Sequence, residues 1–146
     1  MSARTDQIAK VARSKVGSEE WLYSKEKGNF GKNTNKCNQF VYDVMIEAGV
    51  SPPPTVPRYV IFSRPPTAGE WADSSTTITG WTVVTEPQPG DVVAEAHNYS
   101  DATGHCGIVV GSKLTCSASS LEGGKIVQND WGFRQDNKPT FRRFSK

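Results

Sequence analysis

Apolar residues recur at helical spacing in two places along the chain. Between Thr5 and Val16, Ile8, Val11, Ala12 and Val16 share one face while Lys and Arg take the other, and Gly17 follows as a stop. In CNQFVYDVMIEAG, which starts at Cys37, the residues Phe40, Val41, Val44, Met45 and Ala48 form a second stripe. Gly49 closes it, and Thr34 or Asn35 is placed to cap its start. Residues 18–36 between the two helices are polar and rich in Gly and Asn, which predicts a loop anchored by Trp21, Leu22 and Tyr23.

The pattern changes period further on. GWTVVT, DVVAEA, CGIVVG, KLTCSAS, KIVQND and PTFRRF are short runs rich in β-branched and aromatic residues, separated by Pro-Gly, Gly-Ser and Gly-Gly, and they predict antiparallel strands. Residues 51–80, proline-rich and irregular, read as a long surface crossing. Helices first and strands later predict an α+β domain, with N-terminal helices packed on an antiparallel sheet.

Composition narrows the function. The 146 residues fit one domain over 1–146, and 10% aromatic residues among only 36% hydrophobic ones mark it as folded and loop-rich. The net charge of +2 gives no electrostatic footprint for nucleic acid or an acidic membrane. No apolar run approaches the roughly 20 residues of a membrane span. The N-terminal MSARTDQIAKVARSK lacks the apolar core and cleavage site of a secretion signal. The expectation is a chain made in the cytoplasm, with neither nucleic-acid partner nor membrane insertion.

Three cysteines, Cys37, Cys106 and Cys116, are too few for a disulfide scaffold, and no spacing suggests zinc, so no metal is expected. Cys106 and Cys116 flank a turn and could meet as a disulfide across a hairpin or stay reduced, leaving Cys37 as the odd thiol. Cys37 falls in the first turn of the second helix, where free N–H groups and the helix dipole favour a thiolate. A buried structural cysteine is the alternative. Of the two histidines, His97 lies in a polar stretch, whereas His105 stands at the mouth of an apolar strand, where an imidazole can reach a helix packed on the sheet. KIVQND supplies Asn129 or Asp130 to orient that imidazole; they point to opposite faces of a strand, so one of them can do so.

In their order, NKCNQFVYDVMIEAGV, PQPGDVVAEA, GHCGIVVG and IVQNDWG resemble the papain-fold amidases of the NlpC and CHAP type over roughly residues 33–132. The resemblance implies a papain-like α+β cysteine peptidase with Cys37 as nucleophile, His105 as general base and no cofactor. Its third residue falls at Asn129 or Asp130, and the Asn-then-Trp pattern of CHAP domains favours Asn129, with Trp131 after it. The usual Asp-Cys-Ser-Gly-Phe around the nucleophile reads Lys36, Cys37, Asn38, Gln39, Phe40 here. The amide of Gln39 or the helix N–H groups would hold the oxyanion. Similar proteins cut stem peptides of peptidoglycan, and compact ones resemble the amidase toxins that bacteria deliver to rivals by type VI secretion. The resemblance therefore implies action in the periplasm of a target cell and an immunity protein that covers the cleft in the producer. A phage endolysin, a non-catalytic wall- or protein-binding domain and an acyltransferase are the competing readings.

Overall fold

The computed structural model describes residues 3–27, 34–52, 56–58, 62–96, 104–134 and 138–145. Its frame is a six-stranded antiparallel sheet in the order β3-β8-β4-β5-β6-β7. The strands are β3 (Trp81–Val84), β4 (Val92–Ala96), β5 (Gly104–Gly111), β6 (Leu114–Ser119), β7 (Lys125–Asn129) and β8 (Thr140–Phe144). All six coincide with the strand-like runs of the sequence. The α+β, papain-like architecture is thereby met, with helices α1 (Ala3–Ser14) and α2 (Cys37–Glu47) packed on β5.

Side-chain alternation explains which face the helices cover. Cys106, Ile108 and Val110 of β5, Cys116 and Ala118 of β6 and Ile126 of β7 point into one core. There they meet Ile8, Val11 and Ala12 of α1 and Phe40, Val41, Val44 and Met45 of α2. Burying that many aliphatic side chains is the main force holding helices to sheet, at about 1.5–3 kcal/mol for each fully buried one. Trp21 is buried with its ring edge-on to Phe40 and donates Nε1–H to Asp43, which anchors the loop after α1 as expected.

Polar contacts secure this frame at one edge and at an inner strand. The outer side of β7 is covered by the chain just after α1: Gly17 N–H donates to the Ile126 carbonyl and Ile126 N–H to that of Ser18. At β8, Arg142 is buried and donates to the carbonyls of Glu70, Trp71, Asp73 and Thr76, closing the C-terminal end of a short helix, α3 (Ala68–Ala72).

The crossing over 51–80 therefore contains more structure than its prolines suggest. α3 begins with a reciprocal capping box between Thr67 and Glu70, and five residues are too few to show a helical period. Before it, β1 (Val56–Arg58) and β2 (Phe62–Arg64) form a separate two-stranded ladder, an edge setting in which Pro57 is tolerated.

The Pro89-Gly90-Asp91 turn ties these parts together. A Cβ on Gly90 would lie 2.3 Å from the Thr5 carbonyl oxygen, and its φ of +96° suits glycine, so α1 presses directly on this turn. Asp91 is fully buried, accepts the Gln88 N–H, and holds Arg143 through two hydrogen bonds of 2.9 and 2.8 Å. Its role here is structural.

Candidate active site

Helix α2 starts without a side-chain cap. The residue at its N-cap is Lys36, in place of the Thr34 or Asn35 expected, and no side chain closes the first turn. The first intrahelical bond runs from Phe40 N–H to the Lys36 carbonyl, so the N–H groups of Cys37, Asn38 and Gln39 have no acceptor within the helix. Asn38 fixes this helix end to the crossing by donating Nδ2–H to the Pro66 carbonyl over 3.1 Å.

Lys36 is buried beside the nucleophile candidate, which nothing in the sequence pattern indicated. Its ammonium donates to the carbonyls of Tyr23 and Thr34 and to the Thr34 hydroxyl, and burial lowers its pKa. It thus joins the preceding loop to the start of α2.

The sulfur of Cys37 meets β5 where the β5–β6 ladder stops. Regular pairing runs through Ile108 opposite Cys116 and goes no further towards Gly104. On β5, Val109 exchanges its backbone bonds on the β4 side, with Asp91 and Gly90. By alternation, the N–H of Cys106 points to the β6 side. Cys106, through its backbone and its thiol, and the His105 imidazole are the neighbours that lower the Cys37 pKa. Cys37 is brought together with both residues although they lie on opposite faces of the strand.

These partners set the charge on the sulfur. The Cys106 thiol hydrogen bond is the largest influence holding the Cys37 pKa well below the ordinary thiol value; burial opposes it, and the His105 hydrogen bond and charge reinforce it. The Cys106 thiol goes the other way, pushed well above the ordinary value by burial and by the neighbouring Cys37. The two shifts run in opposite directions, so Cys37 is the more readily ionised of the two thiols.

His105 is held on its other side by a residue the sequence analysis did not single out. Its Nε2 lies 3.1 Å from the Ser117 hydroxyl on β6, which leaves Nδ1 as the ring nitrogen for the sulfur. Gly107 makes the approach possible, because a Cβ there would sit 2.6 Å from the Cys116 carbonyl oxygen and 2.8 Å from Ser117 Cβ. The ring edge of Trp131 packs against the imidazole, centroids 4.6 Å apart.

The other expected site residues are engaged elsewhere. Asn129 accepts the Trp131 N–H on Oδ1, a turn that Thr115 completes by donating to the Trp131 carbonyl; Asn129 bears on the imidazole through Trp131. Asp130 pairs with Arg134 at the surface. Gln39 directs its amide along the helix to Asp43, away from Cys37. Of the two alternatives for Cys106 and Cys116, bridged or reduced, the structure shows the reduced one, and all three cysteines are free thiols. The register explains this: Ile108 stands opposite Cys116, so Cys106 is a diagonal neighbour at about 7–8 Å, beyond the roughly 3.5–4.5 Å between Cβ atoms that a disulfide spans. Cys116 faces Gln128 instead. His97 lies outside the described residues.

A family model for the CHAP domain matches residues 26–122, about two thirds of the chain, and includes Cys37, His105 and Ser117. The chain belongs to the CHAP family. CHAP domains are typically peptidoglycan amidases and peptidases, so a hydrolase acting on peptidoglycan is the general activity the family carries. The match ends before Asn129 and Asp130. No curated protein matches the chain. No helix among the described residues of this CHAP domain is long and apolar enough to cross a membrane.

Proposed function

We propose that this CHAP domain is a cysteine amidase that hydrolyses an amide bond in the stem peptides of peptidoglycan. The observation that carries the reading is the Cys37 sulfur at an uncapped helix N-terminus, with His105 beside it and Ser117 holding the far side of the ring. In this mechanism the Cys37 thiolate attacks the amide carbonyl carbon, and the N–H groups at the start of α2, which have no acceptor within the helix, receive the developing oxyanion. The imidazolium of His105 then gives its proton to the amide nitrogen as the C–N bond breaks, leaving a thioester on Cys37. His105, now neutral, takes a proton from water, whose oxygen attacks the thioester and releases the carboxylate and the thiolate.

Ser117 and Trp131 are positioning residues here. The hydroxyl fixes the ring's rotation, and the indole confines its face. The site of action we assign is the periplasm of a target bacterium, reached by type VI secretion, with an immunity protein over the cleft in the producing cell. That assignment rests on the resemblance of the sequence to amidase toxins.

Digestion of Gram-negative sacculi by the purified protein, with products identified by mass spectrometry, tests the reaction. Fragments that each gain one water at a peptide bond, absent with Cys37→Ser, are the expected result; no cleavage by the wild type overturns it. Directing the chain to the periplasm or to the cytoplasm of a Gram-negative host tests the site of action, with lysis expected only from the periplasm.

A further inference from the structure

We propose that a groove at the far end of the sheet is a second binding site for peptidoglycan, taking an acetylated sugar with its carboxylate-bearing peptide away from the bond that is cut. The choice of polymer rests on the amidase reading; the groove, its shape and its charge do not.

Three segments build the groove. The turn before β4 brings Pro87 and Pro89, the β5–β6 hairpin brings Gly111, Ser112 and Lys113, and the chain after β7 brings Phe133, around a space of about 450 Å³. His105 and Gly111 share one face of β5, so at about 3.4 Å per residue the groove lies about 20 Å from the imidazole. The walls are held from behind. Asp91 accepts the Gln88 N–H and binds Arg143, which also donates to the Glu86 carbonyl, and together these fix the proline turn. Phe133 packs on Phe141 with ring centroids 5.6 Å apart and donates its N–H to the Asp130 carbonyl. A preformed, mostly apolar groove of this kind loses little freedom when a ligand enters.

Charge selects the ligand. Lys113 is the charged residue that lines the groove; it is exposed, and among the described residues it has no ion-pair partner. The neighbouring cations are already neutralised, Arg143 by Asp91 and Arg134 by Asp130. Lys113 is also the one non-glycine among the described residues with a left-handed backbone, at a φ of +56°, where glycine would fit without strain. The turn thus keeps an ammonium where backbone geometry favours glycine. One unpaired cation above two prolines and a phenyl ring fits a ligand with an apolar face and a single carboxylate, and Glu86, beside Pro87 and outside the groove, disfavours a polyanion. Acetylated sugars present C–H faces and methyl groups, their amides pair with a hydroxyl such as that of Ser112, and the stem peptides joined to them carry carboxylates. The polymer that the active site would cut therefore offers what the groove takes.

The test is sedimentation of the full chain carrying Cys37→Ala with Gram-negative sacculi over a range of protein concentrations, beside the same chain with Lys113→Gly added. Glycine suits this turn, so the thermal midpoint with Lys113→Gly should hold or rise, which separates lost binding from lost folding. Lys113→Gly should weaken binding about fivefold, the effect of one exposed ion pair, and Lys113→Glu should weaken it further. Converting the carboxylates of the sacculi to neutral amides should bring binding by the Cys37→Ala chain down to that of the chain with Lys113→Gly. Equal binding by the two chains, or a difference that survives amidation, would overturn the inference, as would a Cys37→Ala chain that does not sediment with sacculi. Binding that depends on Lys113 in a protein whose wild type never digests sacculi removes the amidase reading and leaves the groove standing. Digestion by the wild type together with binding indifferent to Lys113 removes the groove alone.

Discussion

Ser117 and Asn129 separate two ideas about how the histidine is held. The hydroxyl of Ser117 lies 3.1 Å from Nε2, whereas the amide of Asn129 accepts the backbone N–H of Trp131. Ser117→Ala should lower kcat/KM about tenfold, the effect of one net hydrogen bond of roughly 1.4 kcal/mol, with Ser117→Thr recovering most of it. Asn129→Ala should cost about 1 kcal/mol of stability through its turn, and Asn129→Asp, which keeps the acceptor, should restore it. Steady-state kinetics beside thermal unfolding would read both; a larger activity loss at Asn129 than at Ser117 would reverse these roles. Asn129 was a reasonable expectation from sequence, because an Asn followed by a Trp carries the resemblance. Its neighbour's packing on the imidazole is visible only once the turn is folded.

The elements were legible because each writes its period into the chain. The α2 stripe and the six strand runs recur in the structure, and Gly17 and Gly49 follow the two helices with φ of +88° and +74°. The short α3 was not legible, since five residues show no period, and its stability comes from Arg142, more than sixty residues away in sequence. Ser117 was hidden for a related reason: its meeting with His105 depends on the register of β5 against β6, and the pairing shifts between Val109 and Gly111. The placements of Cys37 and His105 could be read because a helix start and a strand mouth are local features. The turn at Gly90 gives a test at this scale. Gly90→Ala places a methyl group against the Thr5 backbone in a left-handed conformation and should destabilise the fold by about 3 kcal/mol, measurable by urea denaturation. An unchanged midpoint would mean that α1 does not rest on this turn.

Across the whole molecule, burial of thiols makes stability depend on alkaline pH. Burial raises Cys116 from 9.0 to about 11, and Cys106 shifts in the same direction. In the unfolded chain these thiols ionise near the ordinary value while the folded chain keeps them protonated. Their stabilising contribution is therefore full below about pH 9 and is lost as pH rises through about 11. Cys37, shifted down, contributes fully throughout that window. Denaturation midpoints should fall across it, and Cys116→Val should flatten the fall; a flat wild-type profile would contradict the burial of these groups. The same opposition of shifts underlies the reactive centre, where one core lowers the pKa of Cys37 and raises that of Cys106. The pH dependence of Cys37 alkylation tests that most directly, followed peptide by peptide with iodoacetamide in the wild type and in His105→Ala. The wild type should alkylate at Cys37 rapidly at pH values well below the ordinary thiol range, with Cys106 and Cys116 silent, and His105→Ala should move the profile upward. A Cys37 that titrates like a free cysteine in both proteins would contradict the assignment of this helix terminus as the seat of a nucleophile.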